Sequence, residues 1–165
     1  MATPEYVLRL REHIGHAPLV LVGVTAVILR EVGGATEVLL GRRSDTGALT
    51  PITGIVDPGE QPAVAARREA MEEAGVEIEV ERLARVHQLP RKRHVNGDLV
   101  DYLDLTFRCR WLAGDPHPAD GELTDVGWHP LSDLRDVASD DLRERIRLAA
   151  TGSGEAVFSG LSSSH

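Results

Sequence analysis

Strand-like and helix-like segments alternate along this chain, and that alternation predicts a mixed α/β sandwich. Length supports it: 165 residues suffice for one domain with a sizeable core and are short for two. No internal repeat and no linker interrupts the pattern. Residues 1–150 therefore read as a single domain opening with a short helix, and residues 151–165, rich in glycine and serine, as a flexible tail.

The elements follow in order. "PEYVLRLREHIGH" spaces Tyr6/Val7, Leu10 and Ile14 as one face of an amphipathic helix ending at Gly15. "LVLVGVTAVILR" is rich in valine and leucine, as a buried strand should be. "EVGG" turns the chain, and "TEVLLGRR" returns as the second strand of a hairpin. "SDTGALTPITG" reads as a loop. A helix is then predicted over Pro62–Ala74, because proline suits the first helical position and Gly75 suits the stop. "VEIEVERLARVHQL" is strand-like, and Asn96-Gly97 signals a hairpin turn into "LVDYLDLTFRCRWL", where Leu103, Leu105, Phe107 and Cys109 alternate with more polar residues. After the loop "AGDPHPADGE", "LTDVGWHPLSDL" predicts a short strand and turn, and "DDLRERIRLAA" a closing helix.

Composition excludes several function classes. A formal net charge of −8 argues against a nucleic-acid surface or an anionic membrane as partner. A small anionic substrate stays open, because a bound divalent metal reverses the local field. Cys109 is the only cysteine, so no internal disulfide forms and a reducing compartment is expected. The charged N-terminus lacks the apolar core of a signal peptide, and Pro18–Leu29 is too short to span a bilayer. The expectation is a cytoplasmic protein.

The informative stretch is "GIVDPGEQPAVAARREAMEEAGV", Gly54 to Val76. On the predicted helix Glu69 has Glu72 at i+3 and Glu73 at i+4, so three carboxylates share one side. Like charges at that spacing cost a few tenths of a kcal/mol per pair, and the helix dipole disfavours them near the C-terminus. Two readings compete. One is a solvated acidic face. The other is a site for a hard divalent cation, with magnesium shared between carboxylates and substrate phosphates.

The whole stretch resembles the Nudix hydrolase signature, G-x5-E-x7-R-E-U-x-E-E-x-G-U with U aliphatic. Gly54, Glu60, Arg68, Glu69, Glu72, Glu73, Gly75 and Val76 fall on it in register. Seven fixed positions match by chance on the order of once in 10^5 such chains. Ala70 departs from the usual larger aliphatic residue, Thr53 replaces a glycine, and Leu49 stands where tryptophan is common. The resemblance implies an α/β/α sandwich around a mixed sheet, Mg²⁺ (or Mn²⁺) as cofactor, and hydrolysis of a nucleoside diphosphate linked to X. A (d)NTP is the first expectation for that substrate, then ADP-ribose or a nucleotide sugar. By position, Gly54 (or the Thr53 carbonyl), Glu69, Glu72 and Glu73 would hold metal, and Glu69 would also orient or deprotonate water. Arg68 would orient Glu69, and Glu60 would support the site from the helix entrance. A homodimer is expected by the same analogy. A non-catalytic nucleotide-binding sensor is the alternative, though such members usually lose these carboxylates.

Outside the signature, Glu122 lies in the loop "PADGELTDV", a region where relatives often carry an extra metal ligand or base; an ordinary exposed acid is the competing reading. Asp120 and Asp125 are weaker candidates. Arg43, at the end of a strand before the signature, is a candidate phosphate contact through its planar fork. Tyr102 would stack on a base or simply pack in its strand. The basic run Arg91–His94 would steer an anion or form a solvated hairpin shoulder.

Overall fold

The computed structural model describes residues 3–151 and 154–158. Helix α1 (Glu5–Ile14) precedes strands β1 (Leu19–Val32), β2 (Ala35–Arg43), β3 (Leu49–Thr50) and β4 (Ile52–Ile55). Helix α2 (Pro62–Ala74) leads to β5 (Glu77–Gln88), β6 (Lys92–Arg93), β7 (Leu99–Ala113) and β8 (Leu123–Pro130), then α3 (Asp140–Thr151) and β9 (Val157–Phe158).

Strand β1 is the axis of the sheet. It pairs in parallel with β7 from Leu19↔Val100 to Leu29↔Arg110 and antiparallel with β2 and β4. The main path runs β3-β2-β1-β7-β5-β9, with β4 on β1, β6 on β7 and β8 on β2, so the sheet is mixed. Burial on both faces explains why β1 reads as a continuous apolar run. Its side chains alternate. Val24, Ala26 and Ile28 face α2, whereas Val27 and Leu29 pack with Ile146 and Ala149 of α3. Further along that second face, Leu21, Ile55 and Val100 receive Val7 of α1. The layers are therefore helix, sheet, helix, as the resemblance implies.

Helix α2 has the predicted limits. Pro62 sits in its first turn, and Gly75 ends it in the left-handed conformation (φ 65°), donating its N–H to the Met71 carbonyl. Ala65, Ala66, Ala70 and Ala74 are fully buried, a flat face that brings the helix close to the sheet. Ala70, the departure inside the signature, is thus part of that close packing.

The expected loop "SDTGALTPITG" is a correction: it contains β3 and β4 on either side of Pro51. Proline ends one pairing, and Ile52 to Ile55 then run antiparallel to β1, which buries Ile52 and Ile55. The basic run likewise supplies β6 and a tight turn in which Gly97 N–H donates to the His94 carbonyl. Of the predicted flexible tail, Val157–Phe158 lie parallel to β5; residues 152–153 and 159–165 lie outside the described residues. Among the described residues no helix is long and apolar enough to cross a membrane.

Beneath α3 lies a buried ionic network. Arg145 Nη1 reaches Asp104 Oδ1 at 3.0 Å and Thr25 Oγ1 at 2.9 Å, and Arg145 Nε donates to Asp141. Thr25 and Thr106 hydroxyls donate to the two Asp104 oxygens at 2.7 Å each. Removing the arginine would strand Asp104, which is 3% exposed. Arg145→Ala is expected to cost about 3–5 kcal/mol in denaturant unfolding; a loss below about 1 kcal/mol would contradict the role of Arg145 as partner to the buried Asp104 charge.

Candidate active site

A guanidinium has five N–H donors, and Arg68 uses all of them. Nε and Nη2 grip Glu60 at 3.0 and 2.9 Å, and Nη2 also donates to the Ile55 carbonyl at 3.1 Å. Nη1 takes Glu69 Oε1 at 2.8 Å and Glu72 Oε2 at 3.1 Å. One cation thus joins the strand end, the loop and two carboxylates of the helix. Glu60 anchors the loop in turn, accepting from the Asp57 N–H at 3.1 Å. The arginine fork beside it holds the Glu60 carboxyl below its ordinary range, and Glu60 in turn keeps Arg68 protonated.

Gly54 explains itself by proximity. It pairs with Val24 in the β4–β1 ladder, and a Cβ there would stand 2.1 Å from both Cγ and Cδ of Glu69. Only the bare backbone lets the Glu69 side chain lie across β4.

Arg68 leaves Glu73 out. This carboxylate, 5% exposed, points instead towards the loop before β8, where Asp120 and Glu122 bring oxygens that lie within 4.8 Å of its own and of each other. The loop is held there by backbone chemistry. The last carbonyls of a helix lack partners within it, and here Glu73 C=O accepts from Ala119 N–H while Ala74 C=O accepts from His117 N–H. His117 packs so closely over Gly75 that a Cβ at that position would lie 2.2 Å from its ring. Glu122 is further tied to β2, since its carbonyl accepts from Ser44 N–H at 2.9 Å.

The predicted candidates thus divide into two connected groups. Arg68, Glu60, Glu69 and Glu72 form one network; Glu73 and Glu122 form another with Asp120, which sequence reasoning ranked low. Asp125 is not in it. It stands opposite Arg42 in the β2–β8 pairing and is exposed. A cleft of about 580 Å³ runs past Arg68, Glu69, Glu72, Asp120 and Glu122, and α1 walls it with Tyr6, whose hydroxyl donates to the Val56 carbonyl. On the other side of Ile55, a second cleft of about 400 Å³ is lined by Arg43, Lys92, His94 and Tyr102. Arg43 and Tyr102 also line a small adjoining pocket with Thr53 and Gly54. The roof supplied by α1 has no signal in the sequence beyond helical amphipathicity.

All-oxygen, acid-rich geometry fits a hard divalent cation. Burial, then the charges of Glu69 and Asp120, push the Glu73 carboxyl up to about 8. Burial also raises Glu69, with Arg68 opposing it. Without metal, folded Glu73 keeps a proton that the unfolded chain releases near the ordinary value of 4.5. Its contribution to stability therefore falls as pH rises from 4.5 to about 8. Glu73→Gln, fixed in the neutral form, is expected to melt at least about 3 °C above the metal-free parent at pH 8 and level with it at pH 4.5. Equal melting temperatures at both pH values would contradict the buried, proton-holding Glu73.

Comparison with known proteins identifies the family. The NUDIX domain family model matches residues 20–149. A MutT-like protein of Streptomyces ambofaciens is 30% identical over 142 residues, 86% of this chain and 84% of that protein. The NAD-capped RNA hydrolase NudC of Deinococcus radiodurans is 31% identical over 119 residues, 71% of this chain; the match spans only 40% of that longer protein. A NUDIX hydrolase structure from Nitrosomonas europaea aligns with a TM-score of 0.66 at 24% identity, covering 84% of this chain and 76% of that one, a likeness of fold. Because the family model spans most of the chain and includes the signature from Gly54 to Val76, the chain belongs to the NUDIX domain family.

Proposed function

We propose that this protein is a Mg²⁺- or Mn²⁺-dependent pyrophosphohydrolase that cleaves the anhydride of a nucleoside diphosphate linked to X. The observation that carries the reading is the convergence of Glu73, Asp120 and Glu122 oxygens beside the Arg68-held Glu69 and Glu72. An all-oxygen cluster of carboxylates at this spacing suits a hard divalent cation.

In this reading Glu73, Glu122 and Asp120 would hold metal, and Glu69, Glu72 and the carbonyl edge at Gly54 would complete the set. Metal bound there supplies neutralisation of phosphate charge and acidifies water. The protein's own share is orientation. Arg68 keeps one Glu69 oxygen occupied, so the other is presented to water in a single direction. Burial raises the proton affinity of Glu69, which suits it to accept the water proton. Glu60 acts through Arg68 as a positioning residue. The attacking oxygen forms a bond to phosphorus as the bridging P–O bond breaks, and the leaving phosphate departs with the bond's electron pair.

A (d)NTP is the smallest substrate of this class, and its triphosphate would enter the acidic cleft with the metal that offsets the charge. A larger X, as in ADP-ribose or a nucleotide sugar, is favoured by the second cleft, whose Arg43, Lys92 and Tyr102 offer cationic and aromatic contacts.

Product identification after incubation with Mg²⁺ or Mn²⁺ tests the proposal. The panel comprises nucleoside triphosphates, their 8-oxo forms, ADP-ribose, nucleotide sugars and dinucleoside polyphosphates. Wild type should cut one class far faster than the rest, and Glu73→Gln should be slower by about 100-fold or more. Nucleotide binding without cleavage of any compound would replace the enzyme with a non-catalytic sensor.

A further inference from the structure

Arg43 stands at an irregularity. The pairing of β2 with β8 shifts register between Arg42 and Arg43, so that Arg42 faces Asp125 and Arg43 faces Leu123. The extra residue, Thr124, belongs to β8, which bulges opposite the end of β2. The chain then turns tightly: Arg43 N–H donates to the Ala48 carbonyl at 3.0 Å, and Gly47 N–H returns to the Arg43 carbonyl at 2.9 Å. Asp45 lies inside this turn. Its two oxygens accept from Arg43 Nε at 2.8 Å and Nη2 at 2.7 Å, a fork-to-fork pair.

A guanidinium has two edges that each bind an oxyanion bidentately. Asp45 occupies the side-on edge, and Arg43 Nη1 makes no hydrogen bond to the described residues. The same arginine lines both the second cleft, with Lys92 and Tyr102, and the small pocket that reaches Gly54. Asp45 itself is largely exposed. An exposed pair of this kind contributes little stability, so its geometry calls for another use.

We infer that Asp45 is a positioning residue, which holds the side-on edge of Arg43 so that its end-on edge is presented to a phosphate of the bound nucleotide. The inference rests on the proposed nucleotide-hydrolase reading and adds to it the group that orients its phosphate clamp. It also runs against simple electrostatics. A carboxylate near an anion site repels the anion, so removing it should tighten binding unless orientation matters more.

That opposition makes the test sharp. Binding of ADP in the presence of Mg²⁺ would be measured by calorimetry for the wild type, Arg43→Ala, Asp45→Asn and the double variant, with melting temperatures alongside. Arg43→Ala should weaken ADP about tenfold or more, and Asp45→Asn about three- to tenfold. Asp45→Asn should have no further effect in the Arg43→Ala background, since the two act as a unit. Melting temperatures should stay within about 2 °C of the parent. Asp45→Asn binding ADP as well as or better than wild type, with Arg43→Ala weakened, would overturn the positioning role alone. Equal weakening by Asp45→Asn in both backgrounds would overturn it too, by assigning the effect to the turn's structure. Wild type that fails to bind ADP, or Arg43→Ala that binds normally, would remove the underlying reading of the cleft.

Discussion

The carboxylates of α2 repel one another, and the structure depends on how Arg68 divides them. Glu69, Glu72 and Glu73 share one side of a helix near its unfavourable end. Arg68, the residue just before them, has five donors and exhausts them on Glu60, Glu69, Glu72 and one strand carbonyl. Two of the three helix charges are thereby offset and immobilised. Glu73 receives no such partner and lies buried beside the loop acids Asp120 and Glu122, which raises its proton affinity. One carboxyl of the helix is thus left outside the Arg68 network, and in the proposed reading a metal would bind there.

Two close approaches make that division geometrically possible. Without a side chain at Gly54, Glu69 lies directly over β4. At the other end, the last carbonyls of α2 recruit the loop before β8, so the requirement that helix ends find partners also delivers Asp120 and Glu122. The sheet contributes rigidity: β1, buried and paired to β2, β4 and β7, carries the floor on which both approaches are made. Chemistry here is assembled from elements distant in sequence, and each joint is a backbone requirement satisfied locally.

Much of this was legible in the sequence. Pro62 and Gly75 mark the ends of α2 because each suits a backbone conformation that the other residue types resist. The i+3 and i+4 spacing of the glutamates defines their shared side before any coordinates. What was not legible depends on long-range pairing. Strands β3 and β4 hide in a segment rich in turn residues, because their partners β2 and β1 lie elsewhere and Pro51 breaks the alternation. Sequence reasoning ranks Asp120 below Glu122; hydrogen bonds of the loop to the end of α2 and to Ser44 hold both beside Glu73. The orientation of Arg43 follows from its fork-to-fork pair with Asp45, which no local pattern announces. The wall built by α1 arises from Val7 packing on Leu21, Ile55 and Val100, a contact between the chain's start and three separate strands.

The central claim is that Arg68 organises the acidic turn for cation binding and cannot be replaced by charge alone. Lysine keeps the charge but offers three donors on a point-like head, so it cannot hold three carboxylates and a carbonyl together. The measurement is Mn²⁺ affinity of Arg68→Lys, followed by electron paramagnetic resonance, beside the wild type. The account predicts a folded protein whose Mn²⁺ binding is weaker by about tenfold or more, the size expected when groups that orient metal ligands are lost. Affinity within about twofold of the wild type would contradict it, because the carboxylates would then find their places without the fork.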